Sequence, residues 1–585
     1  MNIVNNILHI LYNYYIYNMT NTKRPLRHSN KQTRKKSKSR IKTIPGSLFK
    51  KLDALSPFEI KDKLMSLASE GSGEMLNAGR GNPNFFNEFV RVIFAKLQLL
   101  VTQFTNEKEH LKKDLDVYPN PGDYNYETIF LNGSKNWPEK EKVFLRDYLK
   151  FIKLQSSLQK KDYNLMLHDL FLSTLGCFYP VPPQVQEHLN FVCQDFMYDL
   201  VMGGGDQTGD EPGRKLKPTD FEFFPTEGAA AGILYALNTL KSNFLLNPGD
   251  SIAIITPIFS PYLELPRLKD YDLNIVELKT NPKKNYALDD EEINKLKDKK
   301  IKGLFMVNPT NPSAFALPKE NIDKIGHLIN TERKDMFVLN DSVYSPFCKR
   351  GAYNSFMISC PKNTIEVYSL SKYFGTTGWR LGLVMLPKDT NLNKMIWNLP
   401  QKQKKLLHDR YALNTIDPDK LTFMNRLVYD SRAVSEAHVA GLCTPAQVLI
   451  GLFLYYDLHD QGHKYQKEIR QLLAERIQIL YHSLNTQPHI TPVATDYYTL
   501  LHIPEITENL YGKEARKNLE TKHNYIEFMF HLAKKYKTVL LPGKGFGDDS
   551  KDSQDWSLRA CLANLSKKEY VDISKNLAQC IKDFI

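Results

Sequence analysis

The stretch Ser369-Leu-Ser-Lys-Tyr-Phe-Gly-Thr-Thr-Gly-Trp-Arg380 decides both the fold and the chemistry that this sequence predicts. The residues before it (Thr364–Ser369, TIEVYS) and after it (Leu381–Leu386, LGLVML) are apolar and β-prone, so each predicts a buried strand. Lys372 is therefore expected in a tight connection between two core strands. Loss of water around a lysine lowers its pKa, which makes the amine usable as a nucleophile and a base.

The same stretch brings further polar groups to Lys372. Arg380 follows eight residues later as a fixed cation, and Ser369 and Ser371 add hydroxyls. These groups around one point suit a phosphate-bearing aldehyde such as pyridoxal phosphate, attached as a Schiff base. A Ser-Lys pair alone is more often part of a surface turn, so it is the whole spacing that favours a cofactor site.

The spacing of Ser369, Lys372 and Arg380 resembles the pyridoxal-phosphate lysine motif of the class I/II, aspartate aminotransferase-like enzymes of fold type I. In that family a serine stands three residues before the lysine and an arginine stands eight after it. The resemblance implies an α/β fold with a large domain built on a mostly parallel sheet and a smaller α+β domain. It also implies pyridoxal 5'-phosphate as the cofactor.

The composition is typical of a globular enzyme of more than one domain: 585 residues, 42% hydrophobic and 24% charged. The longest apolar runs fall short of the about 18 residues that a membrane span needs. Seven scattered cysteines without a CxxC pair predict neither a disulfide framework nor a zinc site, and no other metal site is expected. They favour a reducing, cytoplasmic location.

The net charge of +13 is concentrated near the N-terminus. Ten lysines and arginines lie between Lys23 and Lys42, no acid precedes Asp53, and the rest of the chain carries about +3. A solvated, disordered tail is favoured over one that binds RNA or anionic lipid, so we expect no nucleic-acid or membrane partner. Residues 1–20 make a poor signal peptide, and Met19 is an alternative start.

An α/β pattern begins at Phe221, where strand-like stretches start to alternate with helical ones. This alternation predicts a parallel sheet with ligand groups at the carboxyl ends of its strands. The small residues after Glu227 open a helix whose free N–H groups form an anion site. The predicted strands before the lysine strand cover residues 252–257, 304–307 and 336–341.

The predicted organisation has five parts, and its first helix begins at Ser56 as N-cap with Pro57 in the first position. Gly203–Asp210 fits no phosphate-loop spacing and is interpreted as a linker. The parts are a basic disordered tail (1–50), an N-terminal arm of the small domain (51–103), a helical insertion (104–166), a large cofactor-binding domain (167–445) and a small C-terminal domain (446–585).

The resemblance assigns roles around the cofactor ring. Asp341, at a strand end, fills the position of the carboxylate that keeps the pyridine nitrogen protonated. Tyr344 and Asn311 correspond to the groups that hydrogen-bond the phenolic oxygen of the ring. Phe259 matches the aromatic side chain that stacks on the ring face. Taken singly, Asp341 is as well explained as a helix cap and Phe259 as a core residue.

The resemblance also assigns the phosphate contacts. Gly228 and Ala229 offer N–H groups, and Ser369, Ser371 and Arg380 complete the set. Tyr179 resembles the tyrosine that reaches the phosphate of the neighbouring subunit. It therefore implies a homodimer with shared active sites, with a larger assembly left open.

Arg559 is the candidate for substrate binding. Its strand is otherwise made of apolar and small residues, so a buried cation there needs an anionic partner. In the family, the corresponding arginine forks onto the α-carboxylate of the substrate, a bidentate task for which lysine is poorly shaped. A structural salt bridge is the alternative explanation.

A narrower resemblance is to the aspartate 4-decarboxylase family, and it runs from about Lys51 to the C-terminus. It rests on LSPFEIK from Leu55, NAGRGNPN from Asn77, YPVP from Tyr179, SRAV from Ser431 and the long mid-chain insertions. It implies conversion of L-aspartate to L-alanine and CO2, together with aspartate aminotransferase activity.

This narrower resemblance places Lys61 and Arg80 near the active site, where we expect them to orient the side-chain carboxylate of the substrate. The sequence departs from the family in two places. The basic tail is extra, and Asn308–Ala314 (NPTNPSA) lacks the usual glycine ending of this loop in aminotransferases. The second departure affects the loop's shape rather than Asn311 itself.

Two other functions remain open from the sequence. One is a plain class I/II aminotransferase that acts on aspartate or another amino acid. The other is a catalytically silent regulator with a nucleic-acid-binding tail. Retention of Lys372, Asp341 and Arg559 speaks against the silent regulator.

Overall fold

The inner strands of the large sheet are almost fully buried, because Ile, Leu, Val and Phe dominate them, whereas the strand over residues 274–281, near one edge, is mostly exposed or half-buried. The computed structural model describes residues 46–108, 110–112, 115–116, 118–202, 216–434, 441–547 and 556–585. The predicted basic tail between Lys23 and Lys42 and the predicted linker Gly203–Asp210 lie outside these residues.

The strands follow one another in chain order. They are β1 (Leu76–Asn77), β2 (His110–Lys112), β3 (Leu115–Asp116), β4 (Phe221–Thr226), β5 (Ser251–Thr256), β6 (Asn274–Asn281), β7 (Ala287–Leu288), β8 (Ile301–Val307), β9 (Phe337–Asp341), β10 (Thr364–Ser369), β11 (Gly382–Pro387), β12 (Tyr498–His502), β13 (Thr538–Val539), β14 (Leu541–Pro542) and β15 (Ser557–Cys561). The strands predicted before and after Lys372 are confirmed as β10 and β11.

The helices cover the two faces of the sheet and build the rest of the chain. They are α1 (Gly46–Asp53), α2 (Pro57–Ser69), α3 (Glu88–Lys108), α4 (Tyr126–Gly133), α5 (Glu139–Leu158), α6 (Tyr163–Leu175), α7 (Glu187–Met202), α8 (Ala229–Ser242), α9 (Pro261–Glu264), α10 (Asp290–Asn294), α11 (Lys319–Thr331), α12 (Phe356–Ser359), α13 (Asn391–Trp397), α14 (Gln401–Tyr411), α15 (Phe423–Val434), α16 (Thr444–Leu458), α17 (Lys464–His482), α18 (Ile503–Tyr511), α19 (Lys513–Lys522), α20 (Tyr525–Tyr536) and α21 (Lys567–Phe584). None of the described helices is long and apolar enough to cross a membrane.

The central sheet has eight strands in the order β4-β11-β10-β9-β8-β5-β6-β7. Its middle pairs, from β10 through β9, β8 and β5 to β6, are parallel, whereas β4, β11 and β7 run antiparallel to their neighbours. The predicted α/β class with a mostly parallel sheet is confirmed. The register places Val367 of β10 beside Asp341 of β9, so these two strands end at the same edge.

Helices pack on both faces of this sheet. Helix α8 packs on β4, β10 and β11, and α15 packs on α8. Helix α11 contributes Ile322, Ile325 and Ile329 to an apolar cluster with side chains of β5, β8 and β9. Each such buried side chain contributes about 1.5–3 kcal/mol, which fixes the strand ends that carry polar groups.

A second, antiparallel sheet has the order β12-β15-β14, and Leu500 lies opposite Arg559 in its register. The N-terminal segment joins this part, because β1 pairs in parallel with β13 and α2 packs on α20. Just after β1, the carbonyl of Ala78 accepts a hydrogen bond of 2.8 Å from the N–H of Cys561. The loop that starts at Ala78 is therefore held beside β15.

Two local expectations need correction. Helix α2 does begin after Ser56, with Pro57 in the first position, but the Ser56 side chain makes no capping hydrogen bond. The predicted helical insertion also contains the short antiparallel pair β2–β3, which its helical pattern did not indicate. The five predicted domain limits stay a prediction.

Candidate active site

A cavity of about 360 Å³ lies where the carboxyl ends of β8, β9 and β10 meet the second sheet. Its size is that of a small-molecule site. It is lined by Phe58, Gly81, Asn82, Ala229, Ala230, Phe259, Tyr262, Val307, Asn311, Asp341, Val343, Tyr344, Ser369, Ser371, Lys372, Thr377, Arg380, Tyr498 and Arg559. A larger cavity of about 870 Å³ beside α14 is lined by none of the residues that the sequence predicted for the site.

Most of the predicted site residues line this one cavity. They are Ala229, Phe259, Asn311, Asp341, Tyr344, Ser369, Ser371, Lys372, Arg380 and Arg559. Gly228 directly precedes the lining and is the N-cap of α8. Tyr179, Lys61 and Arg80 are not among the lining residues of the single chain.

Lys372 lies in the turn between β10 and β11, and its Nζ donates a hydrogen bond of 2.9 Å to the carbonyl of Gly81. Burial lowers the pKa of Lys372 to about 8, and the positive charges of Arg559 and Arg380 act in the same direction. The negative charge of Asp341 raises the pKa of Lys372, but by less than burial lowers it. A much larger fraction of this amine than of an ordinary lysine is therefore neutral, and able to act as a nucleophile, near neutral pH.

Asp341 ends β9 and is fully enclosed. Its carboxylate accepts hydrogen bonds from the hydroxyl of Tyr262 (2.9 Å) and the N–H of Val343 (3.1 Å). Burial raises the pKa of Asp341 to about 6, although these hydrogen bonds and Lys372 favour the charged form. Asp341 therefore has the chemistry needed to hold a positive group that binds in the cavity.

A compact anion cradle lies at the N-terminus of α8. Gly228 has φ +84°, and a Cβ there would come within 2.4 Å of the Arg380 guanidinium, so only glycine allows this approach. Arg380 donates to the carbonyls of Glu227 (3.2 Å) and Thr377 (3.0 Å). The free N–H groups of the first turn of α8 and the guanidinium face the same space, which is a geometry that binds phosphate.

The hydroxyls of Ser369 and Ser371 complete the cradle. Ser369 donates to Ser371 over 2.9 Å, and both side chains are buried against the cavity. Gly382 lies on the other side, where a Cβ would come within 3 Å of the Gly228 backbone and the Ala229 nitrogen. The residues present therefore fit the phosphate group of a pyridoxal cofactor.

Arg559 of β15 faces the cradle from the second sheet. Its guanidinium donates to Oδ1 of Asn311 (2.9 Å) and to the carbonyl of Gly79 (2.8 Å). It also lies 4.4 Å from the centre of the Tyr498 ring. Within the described residues Arg559 forms no ion pair with a carboxylate, and its buried Nε has no hydrogen-bond partner. The structural salt bridge considered from the sequence is absent there.

Aromatic side chains close the remaining walls. Phe259 packs edge-to-face on Phe58 and on Tyr262, with ring centres 5.4 and 5.3 Å apart. The hydroxyls of Tyr344 and Tyr498 lie 2.9 Å apart, and both side chains are buried. These rings give the cavity apolar walls, which strengthens the electrostatic interactions beside them.

Four contributors to the site are absent from the sequence-based prediction: Tyr262, Tyr498 and the carbonyls of Gly79 and Gly81. Tyr262 had a usable signal, because it lies three residues after Phe259, in the short helix α9 that follows strand β5. Tyr498 begins a strand and is the second residue of an unusual Tyr-Tyr pair, but nothing local connects it to Arg559 or Tyr344. The two carbonyls carry no signal in the sequence at all.

Lys61 and Arg80 lie next to cavity-lining residues rather than among them. Lys61 is buried, with its Nζ 3.2 Å from Asp62 and 5.8 Å from the ring centre of Phe58, which lines the cavity. Arg80 is exposed, although both of its neighbours contact the site through their carbonyls. Tyr179 is 79% exposed.

The loop that departs from the family pattern places Ala314 where aminotransferases usually have glycine. Ala314 has φ +66°, a left-handed conformation that costs a non-glycine residue about 1–2 kcal/mol. Its carbonyl accepts a hydrogen bond from the N–H of Thr495 (2.9 Å), which ties the loop to the residues before β12. With Ala314 in this conformation, Asn311 reaches Arg559.

Comparison with known proteins gives consistent matches. Residues 218–575 match the family model described as aminotransferase class I and II. A Pseudomonas protein named bifunctional aspartate aminotransferase and L-aspartate beta-decarboxylase is 34% identical over 545 residues, covering 90% of this chain and 96% of the relative.

Solved structures share the fold at much lower identity. A double mutant of Thermus thermophilus aspartate aminotransferase has a TM-score of 0.53 at 15% identity, over 91% of this chain and 98% of its own. An aromatic aminotransferase from Pyrococcus horikoshii has a TM-score of 0.53 at 16% identity, over 88% and 98%. At these identities the likeness establishes the fold alone.

Proposed function

This chain belongs to the class I and II aminotransferase family, whose enzymes use pyridoxal 5'-phosphate, and we propose that it removes the β-carboxylate of L-aspartate to give L-alanine and CO2. Aspartate transamination is its second activity. The observation that carries the proposal is the similarity to the bifunctional Pseudomonas enzyme over nearly the full length of both chains. The site geometry supports the same chemistry.

The described residues fit the cofactor in three places. The cradle of Gly228, Ala229 and Arg380, with the two buried serine hydroxyls, holds the phosphate. Asp341 holds the proton on the ring nitrogen, and the Tyr344 hydroxyl and Asn311 amide bind the phenolic oxygen. When bound to Lys372 and then to substrate, pyridoxal phosphate supplies a conjugated ring that takes up the electrons released during the reaction.

The chain's own groups then bind the substrate and move its protons. Arg559 binds the α-carboxylate with its two-pronged guanidinium. Lys372 would be free of the cofactor once substrate is bound, and its amine is placed to accept the proton of the α-carbon. Loss of the β-carboxylate as CO2 and gain of one proton at Cβ give L-alanine. Hydrolysis before that loss gives oxaloacetate and would leave the amino group on the cofactor, from which a 2-oxo acid removes it.

Lys61 and Arg80 are proposed to decide between these two outcomes. The β-carboxylate needs a cation to orient it, yet a tight ion pair would oppose its departure as neutral CO2. Lys61 lies behind the cavity residue Phe58, and Arg80 lies between two carbonyls that contact the site. Cations that lie beside the cavity rather than in it can turn the β-carboxylate out of the plane of the conjugated system without forming a tight ion pair with it.

The proposed assembly is a homodimer in which Tyr179 of one subunit reaches the phosphate cradle of the other. The exposure of Tyr179 and of Arg380 in the single chain supports this arrangement. A larger assembly stays open. We place the enzyme in the cytoplasm, in keeping with its seven free cysteines, and assign it no nucleic-acid or membrane partner.

Product analysis from L-aspartate, with and without an added 2-oxo acid, tests the function. Without a 2-oxo acid, the proposed enzyme forms alanine and CO2 over many turnovers and at most one equivalent of oxaloacetate per site. A plain aminotransferase instead forms one equivalent of oxaloacetate per site and stops until a 2-oxo acid is added. A silent regulator forms neither product and has no visible absorbance band that borohydride removes.

A further inference from the structure

A pair of buried tyrosine hydroxyls connects the two sides of the cavity. The Tyr344 hydroxyl, just after β9, lies 2.9 Å from the Tyr498 hydroxyl at the start of β12. Tyr498 also covers the guanidinium of Arg559 at 4.4 Å. One phenol ring thus touches both the group proposed to bind the cofactor oxygen and the group proposed to bind the substrate.

Tyr498 lies close to the reacting amine as well. A Cβ placed on Gly81 would come within 2.5 Å of the Tyr498 hydroxyl and within 3.6 Å of the Lys372 Nζ. The hydroxyl and the amine therefore share one small space in the cavity. The described part of the chain offers Tyr498 a hydrogen bond to Tyr344 there, and no second one.

The chemistry of the pair sets the direction of its hydrogen bond once the cofactor is present. Tyr344 has one hydroxyl hydrogen, and it donates that hydrogen in a hydrogen bond to the negatively charged phenolic oxygen of the cofactor. The oxygen of Tyr344 is then left as an acceptor, and Tyr498 is the donor within reach. A donor that itself accepts a hydrogen bond becomes a stronger donor, so the second bond strengthens the first.

The neighbouring cation supports this direction. Burial raises the pKa of both phenols, and Arg559 lowers both relative to burial alone. The Arg559 guanidinium lies 4.4 Å from the centre of the Tyr498 ring. Positive charge over that ring makes the Tyr498 hydroxyl a stronger hydrogen-bond donor.

We propose that Tyr498 is a positioning residue that donates its hydroxyl hydrogen to Tyr344 and so holds the Tyr344 hydrogen on the phenolic oxygen of the cofactor. This inference rests on the proposed cofactor site. Arg559, Tyr497 and Cys561 act on the pair directly, and Lys372, Asp341 and Arg380 line the same cavity.

The consequence is a shift in a spectroscopic midpoint of the resting holoenzyme. The nitrogen that joins Lys372 to the cofactor competes with Tyr344 for the phenolic oxygen, because its N–H also donates to that oxygen. Loss of that N–H at high pH leaves the oxygen to Tyr344 alone. A weaker Tyr344 donor therefore makes the nitrogen hold its proton to higher pH.

The experiment is a pH titration of the visible absorbance of the holoenzyme, without substrate. Tyr498→Phe keeps the ring over Arg559 and removes only the hydroxyl. We expect its midpoint to lie roughly half a pH unit above that of the wild type, about a threefold change in proton affinity. Tyr481→Phe is the matched control, since its buried hydroxyl bonds Thr499 of the same strand outside the cavity, and its midpoint stays unchanged.

A double mutant of Tyr344 and Tyr498 shows whether Tyr498 acts on the cofactor through Tyr344 or directly. Tyr344→Phe should raise the midpoint at least as far as Tyr498→Phe does, and adding Tyr498→Phe to it should produce no further shift. A full additional shift in the double mutant would overturn the proposal. So would an unchanged midpoint in the single mutant Tyr498→Phe with normal cofactor content.

A second variant keeps the test valid if Tyr498→Phe does not fold. Replacement of Tyr498 by 3-fluorotyrosine keeps the hydroxyl and makes it more acidic, so the midpoint should move to lower pH. A midpoint that stays or rises would contradict the proposed donation. Failure of the proposed cofactor site is distinguishable, because the wild type itself would then show no visible band to titrate.

Discussion

The cavity has two halves that come from the chain in different ways. The cofactor half consists of Asp341, Tyr344 and Lys372, which follow the ends of the adjacent strands β9 and β10. The substrate half consists of Arg559, Tyr498 and the carbonyls of Gly79 and Gly81. Its Arg559–Gly79 hydrogen bond joins residues 480 positions apart in the sequence.

The difference shows which kind of order each half depends on. Parallel strands that end at one edge bring their following residues together, whatever the rest of the chain does. The substrate half instead needs the Ala78–Gly81 loop to dock beside β15, which it does through hydrogen bonds to Cys561, Arg559 and Lys372. The cofactor half therefore follows from one sheet, and the substrate half from the docking of distant segments.

The largest expected effect comes from breaking the cofactor half. Lys372→Ala should lower turnover at least about a thousandfold and abolish covalent cofactor attachment, because no other amine lines the cavity among the described residues. Product formation and borohydride trapping of the cofactor measure both effects. Lys388→Ala, at the exposed end of β11, is the control and should behave as the wild type. Normal catalysis by Lys372→Ala would end the assignment of this lysine.

Asp341→Asn should break the same half more gently. The fold should survive, but a neutral amide cannot hold the proton on the ring nitrogen, so we expect turnover to fall about a hundredfold or more. Steady-state rates across pH measure the loss, with Asp389→Asn in an exposed turn as the control. A rate and pH profile equal to those of the wild type would mean that another group holds the nitrogen.

Arg559→Lys tests whether the substrate half can fail alone. Lysine cannot reproduce two directed hydrogen bonds, so KM for L-aspartate should rise about ten- to a hundredfold while the visible cofactor band stays unchanged. Kinetics and absorbance on the same preparation separate the halves. A variant that loses the cofactor but keeps its KM would show that the division into halves is wrong.

The pH dependence of cofactor attachment examines Lys372 without substrate. Because its pKa lies near 8, below the ordinary value of 10.5, the neutral fraction of the amine rises as pH rises. Attachment to cofactor-free protein should therefore become about fivefold faster from pH 7 to pH 8. Stopped-flow absorbance measures it, and a full tenfold rise would contradict a lowered pKa, because the neutral fraction of a lysine with the ordinary pKa of 10.5 rises about tenfold over this range.

The smallest expected effect concerns the fate of the substrate. Arg80→Ala or Lys61→Ala should lower the ratio of alanine to oxaloacetate by a factor of about three, because the β-carboxylate loses its orientation. Lys63→Ala, exposed on the same helix as Lys61, is the control. Equal loss of both products would mean that these residues only bind substrate. An unchanged ratio with an unchanged rate would mean that they do not belong to the site.

The sequence predicted the cofactor half because its signals are local. An apolar strand that ends in Asp341, and a lysine between two apolar strands, are enough to place both groups at one sheet edge. The fold class follows from the same alternation of strands and helices. These features depend on residues that are near neighbours in the chain.

The substrate half was predicted only in part, for a physical reason. Arg559 stood out as a cation in an apolar strand, but the register that sets β12 beside β15 has no signature in either strand. The contact of Tyr498 with Tyr344 spans 154 positions, and backbone carbonyls such as that of Gly79 are the same in every residue. Long-range docking of this kind is decided by packing over the whole chain.

The most direct test of the central claim follows the two carboxylates of L-aspartate separately. Substrate labelled with ¹³C at the β-carboxylate should release its label as CO2 over many turnovers. Substrate labelled at the α-carboxylate, which Arg559 is proposed to hold, should keep its label in L-alanine. Release of the α-carboxylate label, or no labelled CO2 from either substrate, would contradict the account.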